Sequence, residues 1–239
     1  MIPKKIHYCW FGGNPYPDDF KRYLESWKKN CPDYEIIEWN ESTFDIQSNL
    51  YVKEAYECKK WAFVTDYVRL WAIFNYGGIY MDTDVEVLKS LDVFLKDEAF
   101  SGFERIDAVP TGIMAGEKGH RAIRDMLEDY KDKRFINVDG TMNLHTNVEY
   151  ITRYFVENGL RLNNTLQIIN GFTMYPKEYF CPKNSRTLEV ELTENTYTIH
   201  HFAGSWTEGK TQRRRRIKKL LGPKWMGVLI KIMDKLGIN

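Results

Sequence analysis

No CxxC pair occurs in this 239-residue sequence, and its four cysteines, Cys9, Cys31, Cys58 and Cys181, are scattered without a partnering histidine spacing. That argues against a cysteine-built zinc site and a dense disulfide framework, and it fits a reducing cytoplasm. No window approaches the roughly 18 apolar residues of a transmembrane helix. The opening "MIPKKIHYCWFGG" has two lysines but no apolar run long enough for a signal peptide. The chain is therefore expected to be made and kept in the cytosol. No internal repeat is present, and "RRRR" is the only low-complexity run.

Net charge is nearly absent as well, at +1, but it hides an asymmetry. Residues Thr207 to Asn239 hold ten Lys and Arg against Glu208 and Asp234, leaving 24 basic and 31 acidic side chains on the rest. The tail is a separate electrostatic object. Its block Arg213 to Arg216, Lys218 and Lys219 precedes a helical pattern. Trp225, Val228, Leu229, Ile232 and Leu236 line one face of it, and Lys224, Lys231 and Lys235 mark the other. This is the pattern of an interfacial helix on an anionic membrane, reached through residues 213–236; a C-terminal helix packed on the domain is the alternative. With the remainder acidic and no recognition fold visible, a nucleic-acid partner is not expected.

Hydrophobic content of 43% and charged content of 28% are ordinary for a globular protein, while 15% aromatic is high and suits either a large core or a ring-binding cleft. Ile6 to Trp10 reads as a buried strand ending at Gly12 and Gly13, followed by an amphipathic helix with Phe20, Tyr23, Leu24 and Trp27 on one face. "YEIIEWN" is a second strand, so the chain opens as an α/β fold with a parallel sheet. "WAFVTDYVRLWAIFNYGG" is a buried helix closed by Gly77 and Gly78, with Thr65, Asp66 and Arg69 on one polar stripe. "EAFSGFE" is a strand candidate, "GHRAIRDMLEDYKD" a helix, and residues 136–186 read as irregular, substrate-shaping loops with a helix around Val148 to Glu157.

"NYGGIYMDTDVEVL" then sets Asp82 and Asp84 one residue apart at a strand end, where alternation points both to one face. Paired oxygen ligands without cysteine favour Mg²⁺ or Mn²⁺, which keep open positions for the oxygens of a diphosphate. The plain alternative is two carboxylates capping a strand. A haloacid-dehalogenase-type phosphatase, with Asp82 as nucleophile and Asp84 as acid/base, also fits the local pattern, although that motif normally ends the first strand of its domain. A non-catalytic carbohydrate-binding protein is a further alternative.

The stretch "AFVTDYVRLWAIFNYGGIYMDTDVEVLKSLD" resembles the signature of the DXD-containing sugar transferases of glycosyltransferase family 32, and is similar to the core of the clostridial glucosylating toxins. "IPKKIHYCWFGG" and "HHFAGSW" look like the outer motifs of that family, so the resemblance spans residues 1 to about 206. It implies a GT-A type fold: a single Rossmann-like α/β domain over residues 1–206, with a mixed, mainly parallel sheet flanked by helices, followed by the basic helical tail at 207–239. It also implies a retaining, metal-dependent transfer of a hexose from a nucleotide sugar, with a UDP-sugar preferred, to a saccharide acceptor in surface or capsular polysaccharide synthesis. With the basic tail, that acceptor is expected to be lipid-linked and the enzyme peripheral on the inner face of the cell membrane.

By motif position, Asp82 would contact donor and metal, Asp84 would be the principal metal ligand, and Asp66 and Arg69 would hold the donor sugar's hydroxyls. An internal Asp66–Arg69 salt bridge is the alternative. Trp10 looks like the aromatic that stacks on the nucleobase, and Gly78 is counted with the donor-binding residues. An "HxxG" turn would supply a third metal ligand, favouring His201 over His200, with Gly204 allowing close backbone approach and Ser205 and Trp206 reaching the diphosphate. His7 reads as a satisfied core histidine. No general base is evident, and Glu104 and Asp139 are only acceptor-contact candidates.

Overall fold

A computed structural model describes residues 1–109 and 112–203. Gly204, Ser205, Trp206 and the basic tail lie outside the described residues.

The first strand, β1 (Lys5–Cys9), leads into α1 (Asp18–Asn30) and returns to β2 (Glu35–Trp39). Asp18 and Asp19 in the first turn of α1, and Lys28 and Lys29 in its last, complement the helix dipole. Phe20, Tyr23 and Trp27 form its buried face. A helix that the sequence reading passed over, α2 (Leu50–Glu57), is capped by Asn49, whose side chain accepts from the Val52 N–H at 3.2 Å. The long helix α3 (Trp61–Tyr76) follows, and Gly77 ends it by donating to the Ile73 carbonyl at 2.8 Å from a left-handed conformation (φ +64°). The chain then enters β3 (Gly78–Met81) directly, as expected.

Beyond it come β4 (Val85–Val87), β5 (Ala99–Gly102), β6 (Ile113–Gly116), α4 (Arg121–Glu128) and α5 (Asn147–Glu157). The stretch expected to be irregular also carries β7 (Gln167–Ile169), β8 (Phe172–Tyr175) and α6 (Lys177–Phe180). β9 (Thr198–His200) is the last described element. The large sheet has the order β2-β1-β3-β6-β5-β8-β7. β6 and β7 run against the other five strands, so the sheet is mixed and mostly parallel, as the resemblance implied.

Strand alternation divides the core between the two faces of this sheet. Ile6, Ile79 and Ala115 pack with Phe20 and Trp27 of α1, while Tyr80 and Met114 pack with Val68 and Ile73 of α3. The connection from β1 goes through α1 to β2 on one side, and the chain comes back through α3 to β3 on the other. A topological switch of this kind opens a crevice beyond the carboxyl ends of β1 and β3. Trp10 and Asp82 are the residues that follow those two ends.

Candidate active site: a carboxylate and histidine cleft

The crevice holds a cavity of about 750 Å³, lined among others by Trp10, Asp66, Arg69, Asp82, Asp84 and His200. Asp82 and Asp84 lie in a turn rather than in a strand, closed where the Val85 N–H donates to the Asp82 carbonyl at 3.0 Å. Their shared direction therefore comes from this turn between β3 and β4, not from the strand alternation expected above.

Asp82 is held from the α3 side. Arg69 Nη2 lies 3.3 Å from Asp82 Oδ1 and 3.2 Å from Asp66 Oδ1, and the Tyr80 hydroxyl donates to Asp82 Oδ1 at 3.0 Å. Arg69 and Asp66 are buried, at 4% and 8% exposure, so each charge depends on the other for compensation. Burial pushes the Asp66 carboxyl up to about 6, against the downward pull of Arg69. Arg69 stays charged, because the neighbouring carboxylates, Asp82 first, outweigh its own desolvation. Asp66 and Arg69 thus form the ion pair given above as the alternative, and both also line the cleft.

Asp84 is held from the β9 side. β4 and β9 form a two-stranded antiparallel ribbon with Val85 opposite His200. His200 Nε2 lies 3.2 Å from Asp84 Oδ1, and the Ala203 N–H donates to Asp84 Oδ2 at 2.7 Å. Burial raises the Asp84 carboxyl, but the His200 charge and these hydrogen bonds prevail and hold it at about 2. Burial in turn disfavours the His200 imidazolium, and the Asp84 carboxylate overrides it and raises the histidine well above its ordinary value.

His200, not the favoured His201, is thus the histidine against the acidic pair. Adjacent side chains of a strand face opposite ways. His201 turns to the other side, with Nε2 at 2.7 Å from Glu86 Oε2 and its ring stacked on Tyr23 at 4.6 Å. Ligand atoms of Asp82, Asp84 and His200 all lie within 4.8 Å of one another, the one such metal-capable cluster found among the described residues. The pairing of "VEV" with "TIH" was the signal that could have chosen between the histidines. Gly112 confirms how tightly the ring is seated, since a Cβ there would fall 2.8 Å from His200 Nδ1.

The remaining candidates divide. Trp10 lines the cleft, stacks on Phe20 at 5.6 Å and donates from Nε1 to the Asn14 carbonyl at 2.6 Å. Gly78 does not line it: it begins β3 at the far end from Asp82, and a side chain there would meet His7 Nε2 and the Lys5 carbonyl at 2.9 Å. Its role is to let β3 start against β1. His7 is a core residue, accepting from Trp39 Nε1 at 3.2 Å and donating to the Gly77 carbonyl at 2.8 Å. Glu104 lines the cleft, and burial raises its carboxyl above the ordinary range. Asp139 is an exposed turn residue that accepts from Thr141.

Residues 17–101 match the family described as the glycosyltransferase sugar-binding region containing DXD motif. The chain is 28% identical over 127 residues to inositol phosphoceramide mannosyltransferase 3 of Schizosaccharomyces pombe, covering 50% of this chain and 34% of that protein. It spans only about a third of that relative's length. It is 24% identical over 218 residues to the uncharacterized glycosyltransferase L373 of Acanthamoeba polyphaga mimivirus, covering 86% and 84% of the two. The glycosyltransferase GlyE of Streptococcus pneumoniae TIGR4 shares the fold at TM-score 0.51 and 11% identity, over 99% of this chain and 65% of that one. A glycosyltransferase involved in glycosylating the major capsid of PBCV-1 shares it at TM-score 0.50 and 11% identity, over 90% and 100%. Residues 17–101 thus match a DXD-containing sugar-binding region of glycosyltransferases, and the mixed sheet built around it is the fold shared with GlyE and the PBCV-1 capsid enzyme.

Proposed function

We propose that the protein transfers a hexose from a nucleotide sugar, a UDP-sugar by preference, to a saccharide acceptor with retention of anomeric configuration. The observation that carries this reading is the convergence of Asp82, Asp84 and His200 beside the buried Asp66–Arg69 pair at one cleft. Two carboxylate oxygens and one imidazole nitrogen suit Mn²⁺, and Mg²⁺ less well because of the nitrogen. A bound cation would supply Lewis-acid stabilisation of the departing diphosphate.

The chain's own residues do the rest. Asp84 and His200 hold each other in place, and with Asp82 they would hold a divalent cation, for which the imidazole must give up its proton. Arg69 anchors Asp82 at a fixed angle, and with Asp66 offers donors and acceptors to the sugar hydroxyls. Trp10, which lines the cleft, would stack on the base. Glu104, which lines the cleft within electrostatic reach of His200 and the acidic pair, is a candidate contact for the acceptor.

Residues 1–206 form the catalytic unit in this reading, and 207–239 a membrane-surface tail. The charge asymmetry of the sequence supports a lipid-linked acceptor in surface polysaccharide synthesis. The name of the Schizosaccharomyces pombe relative, an inositol phosphoceramide mannosyltransferase, supports it too.

Incubation with Mn²⁺ and a panel of nucleotide sugars, before and after chelation, tests the activity. Metal-dependent release of nucleotide from one donor supports it; no release from any donor, or hydrolysis of simple phosphate monoesters instead, opposes it. Sedimentation with anionic vesicles, with and without residues 207–239, tests the tail. Binding unchanged by truncation removes that part.

A further inference from the structure

Thr146 caps α5 by accepting from the Glu149 N–H at 3.4 Å, and Thr146, Asn147, Val148 and Glu149 all line the cleft. Asn147 is 5% exposed, and neither its Nδ2 nor its Oδ1 has a hydrogen-bond partner. Buried side-chain amides are nearly always paired, because an unpaired one forfeits its hydration without return. His120 and His200 each leave one buried ring nitrogen unpaired, but among the described residues Asn147 leaves both a donor and an acceptor idle. It also stands beside Asp66, whose carboxyl its amide helps to draw down.

We propose that Asn147 is a specificity-determining residue whose amide reads two neighbouring hydroxyls of the transferred hexose. Nδ2 donates to one of these hydroxyls and Oδ1 accepts from the next. The assignment rests on the donor reading above. Asp66 can only accept when ionised and Arg69 can only donate, so neither alone registers a hydroxyl pair. A neutral amide supplies both functions and does not compete with the carboxylates for a cation. Inverting one hydroxyl of the sugar leaves one amide atom unpaired again. Sites built on buried hydrogen bonds discriminate in this manner.

The test compares UDP with UDP-glucose and UDP-galactose, binding each in Mn²⁺ to the full-length chain, Asn147→Leu and Asn147→Asp by calorimetry. Loss of one or two hydrogen bonds predicts that affinity for the preferred UDP-hexose falls about tenfold or more in the Leu variant, while affinity for UDP stays within about twofold. Preference between the two hexoses shrinks in both variants. Because Leu replaces an unpaired buried amide, its melting temperature does not fall. Equal losses for UDP and UDP-hexose, or no loss for either, overturn the assignment. So does a destabilised Leu variant paired with an Asp variant that keeps full discrimination. Wild-type protein that binds neither UDP nor UDP-hexose overturns the donor reading itself, and this assignment with it.

Discussion

Arg69 and Asp82 meet at 3.3 Å across the junction that the double glycine creates, one from the middle of α3 and the other just past β3. The same nitrogen reaches Asp66 at 3.2 Å, so one buried cation holds two carboxylates at the base of the cleft. Removing it leaves both uncompensated. Arg69→Ala is expected to cost about 3 to 5 kcal/mol in urea denaturation, as when one partner of a buried ion pair is deleted. Arg69→Lys restores little of this, because a point charge cannot serve both carboxylates as a planar guanidinium does.

The two adjacent histidines separate cleanly. His200 faces Asp84 and His201 faces Glu86. In Mn²⁺ titrations His200→Ala should lose at least about tenfold in affinity, a loss on the scale known for disturbed metal sites. His201→Ala should stay within about twofold of wild type by the same yardstick. Equal effects of the two would contradict the arrangement.

Gly112 offers a way to move His200 without deleting it. A methyl group at this position would fall 2.8 Å from Nδ1 and 3.1 Å from Cε1, so the ring must shift. Gly112→Ala should weaken Mn²⁺ binding and nucleotide release together while urea denaturation shows a cost of only about 1 to 3 kcal/mol, that of local overpacking. Unchanged metal affinity would mean that the ring position is not critical.

Asp66 gives a pH signature. Its folded value of about 6 lies above the ordinary 3.8 because burial outweighs Arg69. Between about pH 4 and 6 the folded chain keeps a proton that the unfolded chain has lost, so this group subtracts stability as pH rises through that window, reaching about 3 kcal/mol above it. In metal-free buffer, Asp66→Asn should therefore be more stable than wild type at pH 7, by up to about that amount, and equal to it near pH 4. A stability difference that does not change with pH would refute the assignment.

The helices and strands up to β3 were readable because each carries its own local signal. Phe20, Tyr23 and Trp27 repeat at helical spacing, and Gly77 stops α3 with a positive φ that few other residues accept. The polar stripe of α3 was legible in the same way, and its Asp66 and Arg69 line the cleft with the acidic pair. What escaped depends on partners far away in the chain. β8 is specified by β5, some 70 residues earlier, and its short apolar run has no decisive period of its own. The choice between His200 and His201 turned on the register of β9 against β4, set by pairing across more than 100 residues. Gly78 was read as a donor contact from its place beside the motif, yet its cause is backbone packing against Lys5 and His7. Asn147 gave no signal at all, since its meaning lies in hydrogen bonds it does not make.

Anomalous scattering from crystals grown with Mn²⁺ and UDP locates the cation itself. A manganese peak is expected within coordinating distance of Asp82, Asp84 and His200, beside the diphosphate. A peak between His201 and Glu86, or UDP bound in the cleft with no metal at the acidic pair, would contradict this placement.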